Sequence, residues 1–194
     1  MSVLTDRAIQ GAGLTPVADA RRRGDRAALQ GLATVLETAD LLALGALADR
    51  IRQDEVGDVV RVFANVEADP GADVVLVSPP EGVKGGLALL RRVAIARILG
   101  PTSARVRVDW SEIGLDVAQV ALGFGASELA GPIANRRGLP IAESSTLKIK
   151  GAGMVSAQAL KKREIEVLLG HAGRKAVFAP ARVSSKAVSE SSHV

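Results

Sequence analysis

Asp73-Val-Val-Leu-Val-Ser78, closed by Pro79-Pro80, is apolar on consecutive positions, as a strand buried on both faces of a parallel sheet is. A helical stretch follows from Gly85 to Leu99, with Leu87, Leu89, Leu90, Val93, Ile95 and Ile98 among Arg91, Arg92 and Arg97. Gly100-Pro101 stops it, and Arg105-Val-Arg-Val-Asp-Trp110 then alternates as a second strand. Strand, helix and strand in that order make a βαβ unit, so the sheet is expected to be mainly parallel.

Outward from this unit the chain divides into segments. Residues 1–14 show weak periodicity and read as a loose end. Residues 15–56 read as helical: Thr15-Pro16 starts a helix that Gly24 stops, Asp25 caps a second with Leu29, Leu32, Val35 and Leu36, and Asp40 starts a third reaching Glu55. Residues 57–179 read as βα units. They open on Val59-Val-Arg-Val-Phe63 after the Gly57-Asp58 turn. A short helix over Asp116–Leu122, a turn or short strand over Ser127–Ala130, a Gly-rich loop over 135–153, a helix over Ser156–Leu169 and a strand over Lys175–Phe178 follow. The tail 180–194, rich in Ser and Lys, reads as disordered. The expected fold is therefore α/β: N-terminal helices, then a small, mainly parallel sheet resembling part of a (β/α) barrel. A closed eight-fold barrel takes about 250 residues; 194 with a helical preface are too few to close one.

Composition narrows the chemistry. Apolar residues are 47% of the chain, enough for a core. With 25 Lys and Arg against 21 Asp and Glu the net charge is +4, too small to argue for nucleic acid. Phe63, Trp110, Phe124 and Phe178 are the only aromatics, too few for a base-stacking surface. Residues 1–145 carry 16 basic and 18 acidic groups, and residues 146–194 carry 9 and 3, so the basic excess lies late in the chain. Cysteine is absent, which removes disulfides, thiolate metal sites and cysteine-ligated iron–sulfur clusters. With no apolar run of the ~18 residues a span requires and no apolar leader, the expected setting is the cytoplasm, with no membrane and no nucleic acid as partner.

Three segments carry a resemblance when taken in order. The first is Ala39-Asp-Leu-Leu-Ala-Leu-Gly-Ala-Leu-Ala-Asp49, followed by Gly57-Asp-Val-Val60 and Asn65. The second is Leu90-Arg-Arg-Val-Ala-Ile-Ala-Arg97, a strand ending in Trp110, and Ala118-Gln-Val-Ala-Leu-Gly-Phe-Gly-Ala-Ser-Glu-Leu129 with Gly131. The third is Ile165 to Val177, containing Ala172-Gly-Arg-Lys-Ala-Val177. Over about residues 26–178 the chain resembles the radical S-adenosylmethionine synthases of the futalosine route to menaquinone: aminofutalosine synthase and cyclic dehypoxanthinyl futalosine synthase. In that family the Asn matching Asn65 leads into a cysteine triad that holds an iron–sulfur cluster; here it leads into Val66-Glu-Ala-Asp-Pro70. Ser127-Glu128 stands where the family has two acidic residues, and Gly131-Pro132 where it has Gly-Thr. The resemblance thus implies the two ends of such an enzyme joined without its catalytic middle, and the family's cluster chemistry is not inherited.

Three readings of function follow. The first is a non-catalytic relative acting as a binding or partner subunit, as a homodimer or in a hetero-complex with a related enzyme. The second is a small metal-independent enzyme or ligand-binding protein, whose ligand by resemblance is an aromatic carboxylate or nucleoside. The third is a remnant that needs a full-length paralogue. No catalytic residue and no cofactor is assigned, since no nucleophile–base constellation is visible. The ligand-binding candidates are Ser78, Asp109 and Trp110 at strand ends, Glu112 beside them, Gln119 on the following helix, and Arg136 and Arg137 as carboxylate partners. Each has a plainer reading: Trp110 as an apolar plug, Asp109 and Glu112 as solvated charges beside a cap from Ser111, Gln119 as a buried hydrogen-bonded amide, and Arg136 and Arg137 as loop residues. Among the charged residues Arg174 ranks first for a structural ion pair.

Overall fold

The structure, a computed structural model, describes residues 3–67, 73–82, 86–134 and 159–179. Five helices come first: α1 (Val3–Gly11), α2 (Thr15–Arg23), α3 (Arg26–Gly31), α4 (Ala33–Thr38) and α5 (Leu41–Val56). Then follow β1 (Val59–Phe63), β2 (Val74–Leu76), α6 (Gly86–Leu99), β3 (Arg105–Asp109), α7 (Trp110–Ile113) and α8 (Leu115–Leu122). The chain continues through β4 (Glu128–Ala130), β5 (Ile133–Ala134), β6 (Leu160–Lys161), α9 (Lys162–His171) and β7 (Lys175–Phe178). The main sheet has five strands in the order β2-β3-β4-β1-β7, and its pairings are parallel; β5 and β6 pair separately. The expected fold class is the one observed. Among the described residues no helix is long and apolar enough to cross a membrane.

Helix boundaries follow local chemistry. The Asp25 carboxylate accepts from Ala28 N–H at 3.0 Å and the Asp40 carboxylate from Ala43 N–H at 2.9 Å, both side-chain caps. Gly24 ends α2 in the left-handed region, with φ of 69°, where its missing Cβ removes the steric cost. Three readings shift in detail. The first 14 residues contain α1, held by buried Ile9 and an Asp6–Arg50 ion pair at 2.5 Å, rather than a loose end. The helix expected after Asp25 is broken at Leu32 into α3 and α4. The expected strand end at Trp110 is instead the first residue of α7. The loop 135–153, the start of the helix expected at Ser156 and the tail 180–194 lie outside the described residues; Leu160–Lys161 form β6, and the helix begins at Lys162.

Parallel pairing sorts the strand residues onto two faces. Val60, Val62, Val106, Val108 and Leu129 are buried on one, in a single cluster with Leu44, Leu47, Ala48 and Ile51 of α5 and Leu90, Val93 and Ile98 of α6. Arginines secure the helical layer by capping carbonyls that a helix leaves unpaired at its C-terminus. Arg21 grips both Glu55 oxygens at 2.7 Å and donates to the carbonyls of Ile98 and Gly100, joining α2, α5 and the end of α6. Arg91 donates to the Leu36 and Ala39 carbonyls at 2.8 and 2.9 Å. Arg52 donates to the Gly57 carbonyl and to Asp49. Arg174 binds Asp49 at 2.8 Å and Asp58 at 3.3 Å, the ion pair its position suggested, and so ties the last strand to α5 and β1.

Trp110 is 1% exposed, and a Cβ added at Gly131 would lie 2.2 Å from its ring. Gly131→Ala should therefore lower unfolding stability by about 1–3 kcal/mol through overpacking. Gly123→Ala, whose Cβ would meet its nearest neighbour at 3.4 Å, should shift it by no more than about 0.5 kcal/mol. Urea unfolding of the two variants checks the difference; equal midpoints would refute the packing role of Gly131.

Candidate functional site

The second sheet face carries charge at its centre. Register aligns Arg61 of β1 with Glu128 of β4, Glu128 with Arg107 of β3, Arg107 with Leu76 of β2, and Arg61 with Val177 of β7. Five side chains therefore form one row across one face. Glu128 and Arg107 are each 1% exposed, and Arg107 donates through Nε and Nη2 to Glu128 Oε2 at 2.8 and 2.7 Å. Arg61 and Arg105 approach Glu128 Oε1 at 3.3 and 3.5 Å. Phe63 lies beneath two of the guanidiniums: Arg107 Cζ is 3.9 Å and Arg61 Cζ 5.2 Å from its ring centroid. The ends of the row are apolar and open, with Leu76 and Val177 each 48% exposed.

The preceding residue serves the helical side. Ser127 Oγ accepts from Arg97 Nη2 at 2.9 Å and from Val106 N–H at 3.2 Å. Arg97, buried in α6, also donates to the Gly125 and Ala104 carbonyls at 2.9 and 2.7 Å. Burial pushes its guanidinium down to about 10. The Gly125 backbone approaches closely: a Cβ there would stand 2.8 Å from that of Arg97, with φ of 98°.

Beyond the strand ends, the sequence candidates separate. Ser78 Oγ donates to Glu112 Oε2 at 3.1 Å, joining the loop after β2 to α7. Asp109 caps α7, accepting from Ser111 N–H at 2.8 Å and Ser111 Oγ at 2.6 Å, so the carboxylate caps and Ser111 donates. Trp110, next to it, is buried against Gly131. Ser78, Asp109, Trp110 and Glu112 thus share the C-terminal end of β2 and β3. Gln119 does not join them: it is exposed on α8, facing α9, and is not the buried amide of the plainer reading. Arg136 and Arg137 lie outside the described residues. A serine hydrogen-bonded to an exposed carboxylate can orient a polar ligand group. Activating the hydroxyl as a nucleophile would take a base itself held by a third group, which this pair lacks among the described residues.

The connections that leave β1 and β4 each pass the other's strand. From β1 the connection leads past β4 and β3 to β2, and it starts over the charged face, because Arg107 Nη1 donates to the Val66 carbonyl at 2.8 Å. From β4 the chain proceeds the other way, to β7. The two connections thus run toward and past each other's strand, unlike the outward divergence that opens a ligand crevice in open α/β sheets. Asn65 follows β1, its Oδ1 buried with no hydrogen-bond partner among the described residues, and the Phe63 carbonyl accepts from Gly131 N–H at 3.1 Å. Asn65 stands out in the sequence only through the resemblance, and Glu128 does not stand out there as a centre of charge. The signal was present: Arg61, Arg105 and Arg107 occupy alternate positions of strands that are otherwise Val-rich.

Glu128→Gln leaves Arg107 buried beside a neutral amide and should lower stability by about 3 kcal/mol. Arg61→Ala, removing a partly exposed partner, should cost about 1 kcal/mol or less. Chemical denaturation at neutral pH checks the order; the reverse order would show that Glu128 does not organise the row.

No protein-family model matches the chain, and no curated protein matches it.

Proposed function

We propose that this chain is a non-catalytic relative of the radical S-adenosylmethionine synthases of the futalosine route, and that it acts as a binding or partner subunit. It would take a second copy of itself, or a related enzyme, along the edges of its sheet. The observation that carries the reading is the row across the charged face. Its centre is buried and ion-paired, while Leu76 on edge strand β2 and Val177 on edge strand β7 are each 48% exposed. Edge strands carry backbone donors and acceptors on one side that template another chain. The absence of cysteine supports a role outside cluster chemistry. Light scattering at micromolar concentration should give a dimer or larger species, and Val177→Lys or Leu76→Lys should reduce it to a folded monomer. A folded wild-type monomer that also fails to co-elute with a full-length synthase of this route would overturn the reading.

The Ser78–Glu112 contact favours a second reading, a protein that binds an aromatic carboxylate or nucleoside without metal. The polar pair sits beside Trp110, whose buried indole would report occupancy of the strand ends. Titration with benzoate or adenosine should shift the emission of the single Trp, and Ser78→Ala should weaken the response. Emission unchanged to millimolar ligand would remove this reading. A remnant that folds only with a full-length paralogue is the third; a cooperative unfolding transition of the isolated chain would refute it.

A further inference from the structure

A groove of about 700 Å³ runs between α8 and α9. Its apolar surface comes from Val167, 50% exposed, and the half-buried Leu168. Its polar rim comes from Gln119 on α8 and from Lys161, Arg163 and His171 around α9. The rim is unbalanced in charge. Glu164 is the groove's acidic residue, and its Oε2 already accepts from the Lys161 backbone N–H at 2.8 Å as the cap of α9. Lys162 is turned away, with Nζ 4.9 Å from the Phe178 ring centroid. The side chains of Lys161, Arg163 and His171 have no ion-pair partner among the described residues.

We infer that this groove is a binding site for a small organic anion with an apolar body. The apolar body would cover Val167 and Leu168, the carboxylate or phosphate would meet Lys161 and Arg163, and the Gln119 amide would donate to or accept from its polar end. Charge complementarity selects this occupant over the chain's own remaining segments. Residues 135–158 carry Arg136, Arg137, Lys148 and Lys150 against Glu143, and residues 180–194 carry Arg182 and Lys186 against Glu190. Both segments carry the same sign of net charge as the rim. The inference is independent of the partner reading, which concerns β2 and β7.

Octanoate, with octanol as its neutral counterpart, tests it on the full chain. Octanoate should shift the backbone amide signals of Gln119, Val167 and Leu168 in nuclear magnetic resonance spectra, with saturation. Lys161→Gln and Arg163→Gln should each weaken binding about two- to fivefold, the range of an exposed ion pair. Raising the salt concentration should weaken it further. Val167→Asp, at an exposed position that leaves the core untouched, should abolish binding while the spectrum stays dispersed. Octanol binding as tightly as octanoate would overturn the anion site, as would signal changes confined to other parts of the chain or no change at millimolar octanoate.

Discussion

The carboxylate of Glu128 is the constraint around which the sheet is assembled. Removing Glu128 and Arg107 from water is costly, and only close, complementary geometry offsets it. The geometry is close: two donors of Arg107 lie within 2.8 Å of a single Glu128 oxygen, and Arg61 and Arg105 stand at the other. These arginines come from β1 and β3, the two neighbours of β4. A three-residue strand thereby holds its register on both sides with one side chain. Its neighbour Ser127 performs the complementary task on the opposite face, accepting from Arg97 of α6 and from the backbone of β3. Adjacent positions on one strand thus fasten the charged face and the helical layer together.

This arrangement explains the glycines that flank β4. Gly125 lets the backbone reach the Arg97 side chain, and Gly131 leaves room for the Trp110 ring. The spacing Gly123, Gly125, Gly131 fits no dinucleotide or Walker loop, and at Gly125 and Gly131 the reason is packing. The topology follows from the same centre. With β1 beside β4, the chain must leave β1 over the charged face to reach β2, and it must leave β4 toward β7.

Much of this was legible because the strands announce themselves through Val-rich runs and the helices through Asp25, Asp40 and Gly24. Arg174 was legible as an ion-pair residue because it lies in the Ala172–Val177 phrase that carries the resemblance. What was not legible depended on pairing. That Arg61, Arg107 and Glu128 share a row requires the strand order, and a sequence in which β1 is followed by β2 gives no hint that β4 lies between β1 and β3. The exposure of Gln119 was likewise hidden. It lies among apolar residues, and only the placement of α8, with Ala118, Ala121 and Leu122 inward, turns it out. The helix α1 was missed because its apolar anchor is a single buried residue, Ile9, and its remaining hold is the long-range pair Asp6–Arg50.

The charged row also decides how a partner would engage this sheet. A flat apolar face would attract a second layer by burial, but here the centre of the face is occupied by a buried carboxylate and the arginines paired with it. Covering it with an apolar layer would add desolvation cost. The favourable surface is displaced to the ends of the row, Leu76 and Val177, each on an edge strand of the sheet formed by the described residues. Association through those edges gains backbone hydrogen bonds and apolar burial together, and leaves Glu128 and its arginines undisturbed. Strand addition is therefore the mode this face favours over stacking, and the buried carboxylate at its centre is the reason.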